Sequence, residues 1–189
     1  MGLVAKNKHT NELVYIFDYK NPRSELKKDD LLCHLCGGEL IIKAGLVRIK
    51  HFSHKPNSPC SCDYERHPES EEHLFFKRLI ATQLSSEFEE YLNAKPLLEY
   101  PVHEVHRVAD IVFAFPSGWL VAHEIQLSSI TTEQLERRTN DYRNAGVDVI
   151  WWLGKSADTE TNRQWLYKNY GECYTLDWDE VHKICTEND

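Results

Sequence analysis

From Glu71 to about Tyr91 the apolar residues Leu74, Phe75, Leu79, Ile80, Leu84 and Phe88 recur at three- and four-residue spacing, the period of a helix with one buried face. Three strand-length segments follow it: Leu97–His106, Val108–Phe115 and Trp119–Leu127, the last two joined by Pro116-Ser117-Gly118. A second helix is predicted over Thr132–Ala145, with Gly146 placed to cap its C-terminus, and the apolar run Val147–Leu153 predicts another strand. Helix, three strands, helix, strand is the order of an α/β core on a mixed sheet. The tail, Asn162–Thr186, adds a helix, a short strand and a final helix. Ahead of this core the periods are shorter. Leu3–Lys6 and Leu13–Tyr19 flank a polar turn as one hairpin, and Glu39–Lys43 and Leu46–Phe52 flank Ala44-Gly45 as a second.

Composition places the 189-residue chain, 41% hydrophobic, among globular proteins rather than disordered ones. No apolar run reaches the roughly 20 residues of a membrane span, and the first residues lack a signal-peptide core. The expectation is a cytoplasmic protein with no membrane partner, whose cysteines bind metal rather than pair. The net charge of −8 excludes a protein that holds nucleic acid by bulk charge. Its distribution changes that picture. Residues 1–68 hold 11 Lys/Arg against 8 Asp/Glu, whereas residues 69–189 hold 11 against 22. The switch falls in the Pro-, Ser- and Asn-rich stretch 55–68. It divides a β-rich basic module, 1–68, from a larger acidic domain, 69–189. Lys43, Arg48, Lys50 and Lys55 cluster around the second hairpin.

The basic module carries a metal pattern. Cys33-His34-Leu35-Cys36-Gly37-Gly38 offers two thiolates from one tight turn, and the next hairpin returns His51-Phe52-Ser53-His54, followed by Cys60-Ser61-Cys62. This is the layout of a zinc-ribbon-like module, in which a structural Zn²⁺ supplies folding free energy that so small a core lacks. The preferred ligands are Cys33, Cys36, His51 and His54; sets using His54 with Cys60 or Cys62 are the alternates.

The acidic domain carries a second pattern. If the Pro116-Ser117-Gly118 turn centres on Ser117, Asp110 and Glu124 lie opposite each other on paired strands, and Gln126 shares Glu124's face. Glu124 and Gln126 interrupt an apolar stretch where an unneeded carboxylate is costly. Two such carboxylates bind one Mg²⁺ or Mn²⁺. Gln134, Arg138 and Tyr142 follow at i, i+4 and i+8, a helix face suited to a phosphate backbone.

Asp110 with Glu124-Ile125-Gln126 resembles the PD-(D/E)XK nuclease motif, with Gln in the place of the usual Lys. The wider order resembles the competence protein CoiA-like family: Cys33-x2-Cys36, His51-Phe52-Ser53-His54, Glu69-Ser70-Glu71-Glu72-His73 with Lys77, Ala109-Asp110, Glu124-x-Gln126, and Tyr142 ahead of Val149-Ile150-Trp151-Trp152. That resemblance implies a restriction-endonuclease-like core and a role in handling DNA. It implies metal ligands at Asp110, Glu124 and the Ile125 carbonyl, with His73, or Glu72 as its alternative, on the first helix. Lys77 is the residue that would restore the missing positive charge.

The function so indicated is metal-dependent hydrolysis of DNA in competence, recombination or phage defence. The DNA would be single-stranded or branched, protein partners would come from DNA processing, and Arg107 or Arg138 would contact phosphate. Two rivals stand beside it: a non-catalytic DNA-binding adaptor that retains the nuclease fold, which Gln126 favours, and a zinc-dependent protein-interaction module.

Overall fold

The computed structural model describes residues 2–45, 48–56 and 69–187, and the chain divides into two compact units, 1–79 and 80–189.

In the first unit, β1 (Val4–Asn7) pairs antiparallel with β2 (Leu13–Tyr15), and with β3 (Leu31–Leu32) on its other side. A single turn of helix, α1 (Pro22–Glu25), lies between β2 and β3. The segment predicted as strand over Leu13–Tyr19 leaves the sheet early, because Ile16–Asp18 form a 3₁₀ turn whose Ile16 is fully buried. The second hairpin joins β4 (Leu40–Lys43) to β5 (His51–His54), with Lys43 opposite His51 and Leu40 opposite His54. Its second strand therefore starts later than the predicted Leu46–Phe52; Leu46 and Val47 lie outside the described residues. Phe52 exchanges two backbone hydrogen bonds with Gly2, at 3.0 and 2.8 Å, which ties this hairpin to the first sheet. Leu3, Val4, Ala5, Ile16, Leu31, Leu40 and Phe52 are buried and form the apolar interior of the module.

α2 (Glu71–Glu87) crosses the division between the units and buries Leu74, Phe76, Ile80, Ala81 and Leu84 at helical spacing. The second unit then runs β6 (Lys95–Val102), β7 (Arg107–Ala114), β8 (Leu120–Gln126), α3 (Thr132–Asn144), β9 (Asp148–Gly154), α4 (Glu160–Tyr170), β10 (Tyr174–Leu176) and α5 (Trp178–Glu187). Its five-stranded sheet has the order β10-β9-β8-β7-β6, antiparallel from β6 to β8 and parallel from β8 to β10. Helix, three-strand meander, helix, strand is the core expected from the sequence. Gly146, at φ +73°, ends α3 as predicted, with its amide on the Arg143 carbonyl. The core of this unit gathers Val112, Ala122, Leu135, Tyr142, Val149, Trp151 and Leu166. β8 lies at the centre of the sheet, so a polar side chain near its middle is buried and needs a partner.

The candidate metal centres

In the first unit, Cys33 is buried and Cys36 half-buried on a tight turn. The Gly37 amide donates to the Cys33 carbonyl at 2.8 Å, and the Cys33 amide donates to the Gly38 carbonyl at 2.8 Å. Gly37 sits at φ +74°, a conformation that side chains resist, so the glycine is required by the turn that aims both sulfurs one way. From β5, His54 Nε2 reaches 3.3 Å from Cys36 Sγ, and the donor atoms of Cys33, Cys36 and His54 all lie within 4.8 Å of one another. Burial pushes the Cys33 thiol up to about 11, so without a metal it is protonated at neutral pH. Two thiolates and an imidazole are a soft donor set that fits Zn²⁺.

The preferred ligand set is corrected in one member. His51 and His54 stand three apart on a strand, so alternation sends them to opposite faces. His51 is buried outside the cluster, its Nδ1 2.9 Å from the Ile49 carbonyl, and desolvation lowers its pKa. The alternates Cys60 and Cys62 lie outside the described residues.

On the same unit, the i, i+4, i+8 stripe Glu69, His73, Lys77 forms a charge cluster. The fully buried Lys77 ammonium donates to both Glu69 oxygens at 2.7 Å, and His73 Nδ1 lies 3.3 Å from Glu69 Oε1. Glu69 opens the box quoted from the sequence but had no role assigned there, though that stripe was its signal. Lys77 is thus engaged by a carboxylate of its own neighbourhood. Glu72 is half-buried on the first turn of α2.

The second unit brings together Asp110, Glu124, Gln126, Arg138 and Tyr142. Backbone pairing between β7 and β8 runs from Ala114↔Leu120 to Ile111↔His123, and the same register continued by one residue sets Asp110 opposite Glu124. There the side chains take over. The Asp110 amide donates to Glu124 Oε1 at 3.3 Å, and the Ile125 amide donates to Asp110 Oδ2 at 2.9 Å. Each carboxylate thus accepts from the opposite strand. Glu124 is 1% exposed. Burial and the Asp110 charge raise its pKa, against the opposing pull of Arg138 and the Tyr142 hydroxyl.

α3 supplies those partners. Tyr142, fully buried, donates its hydroxyl to Glu124 Oε1 at 2.7 Å, and burial followed by the Glu124 charge raises its own pKa. Arg138 donates from Nη2 to Glu124 Oε2 and from Nη1 to Gln126 Oε1, the latter at 2.7 Å, with its guanidinium 4.7 Å from the centre of the Trp151 ring. Gln126 uses its other end as well, donating from Nε2 to the Ser128 carbonyl and hydroxyl at 2.8 and 2.9 Å.

Three of the expected phosphate-binding residues are therefore reassigned. Tyr142 is sealed in the core and positions Glu124. Gln134 completes a capping box, its Oε1 accepting from the Thr131 amide while its own amide donates to Thr131 Oγ1. Arg107 is paired with Asp141 through Nε, at 2.9 Å, and Nη2. The opposite face of β8 holds His123, which links Tyr91 OH to Trp152 Nε1 at 3.0 Å each.

Sequence reasoning also missed Glu99. It is 1% exposed, at φ +54°, on β6 between the pairs Leu98↔Ile111 and Tyr100↔Ala109, hence level with Asp110. Its signal was the one used for Glu124, a carboxylate inside an apolar strand.

Residues 69–181 match the family model of the competence protein CoiA nuclease-like domain, and residues 18–63 match that of the CoiA N-terminal domain. The competence protein CoiA of Bacillus subtilis is 33% identical over 132 residues, which is 70% of this chain. The chain spans about a third of the length of that curated relative. Among solved structures, a repair endonuclease from Pyrococcus abyssi is similar at a TM-score of 0.37 and 21% identity, over 59% of this chain and 48% of that one.

Proposed function

This chain belongs to the competence protein CoiA family, and from that premise we propose that its second unit hydrolyses phosphodiester bonds of DNA with Mg²⁺ or Mn²⁺ held by Asp110 and Glu124. The observation that carries the reading is the crossed pair of carboxylates, each accepting an amide of the other's strand. Two hard oxygen donors from adjacent strands fit a magnesium-like ion. When bound, such an ion lowers the pKa of a coordinated water and neutralises charge that builds on the phosphate. The chain's own residues prepare that chemistry. Tyr142 and Arg138 oppose the burial that raises the Glu124 pKa, and the Ile125 amide holds Asp110 in register. Gln126 carries no charge. Arg138, tethered to it, places a guanidinium where the usual motif has an ammonium.

The first unit contributes a structural zinc site at Cys33, Cys36 and His54. The partner is single-stranded or branched DNA, in the cytoplasm, in competence, recombination or phage defence. No helix among the described residues is long and apolar enough to cross a membrane.

Asp110→Ala and Glu124→Ala test the reading. Each is expected to abolish Mg²⁺- or Mn²⁺-dependent cleavage of an oligonucleotide while circular dichroism and zinc content stay unchanged. Cleavage that persists in both variants overturns the assignment.

A second reading, a DNA-binding adaptor without turnover, is favoured by Gln126, both of whose amide ends are already engaged. It predicts tight DNA binding and no product over a series of divalent metals.

A further inference from the structure

Two of the four cations around the second hairpin are paired with carboxylates: Lys55 with Glu39 and Asp29, and Arg48 with Glu71. A third, Lys50, converges with two other cations of the first unit. Lys20, Lys50 and Arg78 line a cavity of about 240 Å³ whose other walls are Leu3, Phe17, Tyr19 and Ile49.

The chemistry of this cavity selects its ligand. Three cations and no carboxylate stand among its lining residues, so it favours an anion. The Lys50 ammonium is held in place by backbone carbonyls, donating to Lys20 O at 2.6 Å and Tyr19 O at 3.4 Å. Two of its three N–H groups are fixed in this way and the ammonium is preorganised. The volume is below the roughly 300–1,000 Å³ of small-molecule sites, which suits one phosphodiester group of a longer strand better than a whole metabolite. Half-buried Phe17 and Tyr19 beside the cations add the aromatic surface on which an unpaired base stacks.

We propose that this cavity is a phosphate-binding subsite for single-stranded DNA on the zinc-bearing unit. The choice of DNA among phosphate-bearing ligands rests on the nuclease reading of the second unit, and the binding measurement separates the two.

The experiment uses the full chain in magnesium-free buffer with a fluorescein-labelled oligothymidylate, read by fluorescence anisotropy over a range of salt. Lys20→Glu and Lys50→Gln are each expected to weaken binding about tenfold and to lower the slope of log Kd against log salt by about 1. Lys43→Glu, an exposed charge outside the cavity, is expected to change affinity less than threefold. Wild-type affinity and slope in both cavity variants overturn the proposal, as does an equal loss in Lys43→Glu, which would mean a diffuse field. Inorganic phosphate is titrated in parallel. Phosphate binding that Lys20→Glu removes, with oligonucleotide affinity intact, would identify a small-anion site and also overturn the proposal. Persistent cleavage by Asp110→Ala and Glu124→Ala would sink the nuclease reading alone, whereas unchanged binding by the cavity variants would sink the subsite alone.

Discussion

Arg138 donates from Nη1 to Gln126 Oε1 at 2.7 Å, and its second terminal nitrogen serves Glu124. One guanidinium on α3 therefore bridges the two residues of β8 that carry the nuclease-like motif. A lysine at position 126 would have brought a point charge on a flexible stem. The planar fork brings a permanent charge locked to two acceptors. Arg138→Met is expected to lower metal-dependent cleavage about 100-fold, the scale of losing one preorganised electrostatic group. Arg138→Lys keeps a charge but cannot span both acceptors, and its activity should fall between the two. Gln126→Lys sets a second cation against Arg138 and should not raise activity. Single-turnover rates on one oligonucleotide check all three, and an unimpaired Arg138→Met would exclude this role.

Tyr142 acts on the same carboxylate from the core. Tyr142→Phe removes the hydroxyl 2.7 Å from Glu124 Oε1 without changing the ring. A hydrogen bond to a charged group contributes about 1.5–3 kcal/mol, so stability to urea should fall by about that amount or slightly less. The carboxyl of Glu124, already raised by burial, should rise further. Mn²⁺ binding measured by calorimetry at neutral pH should weaken, and its dependence on pH should move to the alkaline side. Equal metal affinity in both proteins would show that the hydroxyl serves packing alone.

The proposed zinc site gives opposite expectations for two histidines of one strand. Cys33→Ser, Cys36→Ser and His54→Ala should each lose bound zinc, read by elemental analysis, and lower the melting temperature of the first unit. His51→Ala should lose stability through its buried ring yet keep zinc. Because the metal-free Cys33 thiol stands at about 11, metal uptake must release its proton, and zinc affinity should climb with pH through the neutral range.

Much of this architecture is legible because period reports burial. The helical period places α2, although Phe76 and Ala81 are buried where Phe75 and Leu79 are only half-buried and Phe88 is exposed, and the turn between β7 and β8 fixes the register that sets Asp110 against Glu124. The ligand set was less legible. A histidine pair three apart on a strand straddles both faces, and only His54 of the two stands with the cysteines. Gln134 carried a readable capping signature with Thr131, but its place on a polar helix face suggested a ligand instead. Glu99 was hidden for a different reason. Its left-handed backbone has no glycine or asparagine to announce it, and only tertiary structure holds such a residue there, at a cost of about 1–3 kcal/mol.

His123 offers a test of the second unit's stability against pH. Burial lowers its pKa from 6.5 to about 3, and both ring nitrogens are engaged, with Trp152 Nε1 donating to Nδ1 and Tyr91 OH beside Nε2. Above pH 6.5 the ring is neutral in the folded and unfolded chains alike, and its hydrogen bonds stabilise the fold fully. Between pH 6.5 and about 3 the unfolded chain takes up a proton that the folded one refuses. Stability from this group therefore falls with acid, by at most about 1.4 kcal/mol per pH unit. His123→Gln retains a polar partner for the Tyr91 and Trp152 side chains but cannot titrate. It should be less stable than wild type at pH 7, and its urea midpoint should decline less steeply toward pH 4. Parallel declines in the two proteins would assign the acid sensitivity to other groups, such as the buried His51 of the first unit, whose pKa is also lowered by burial.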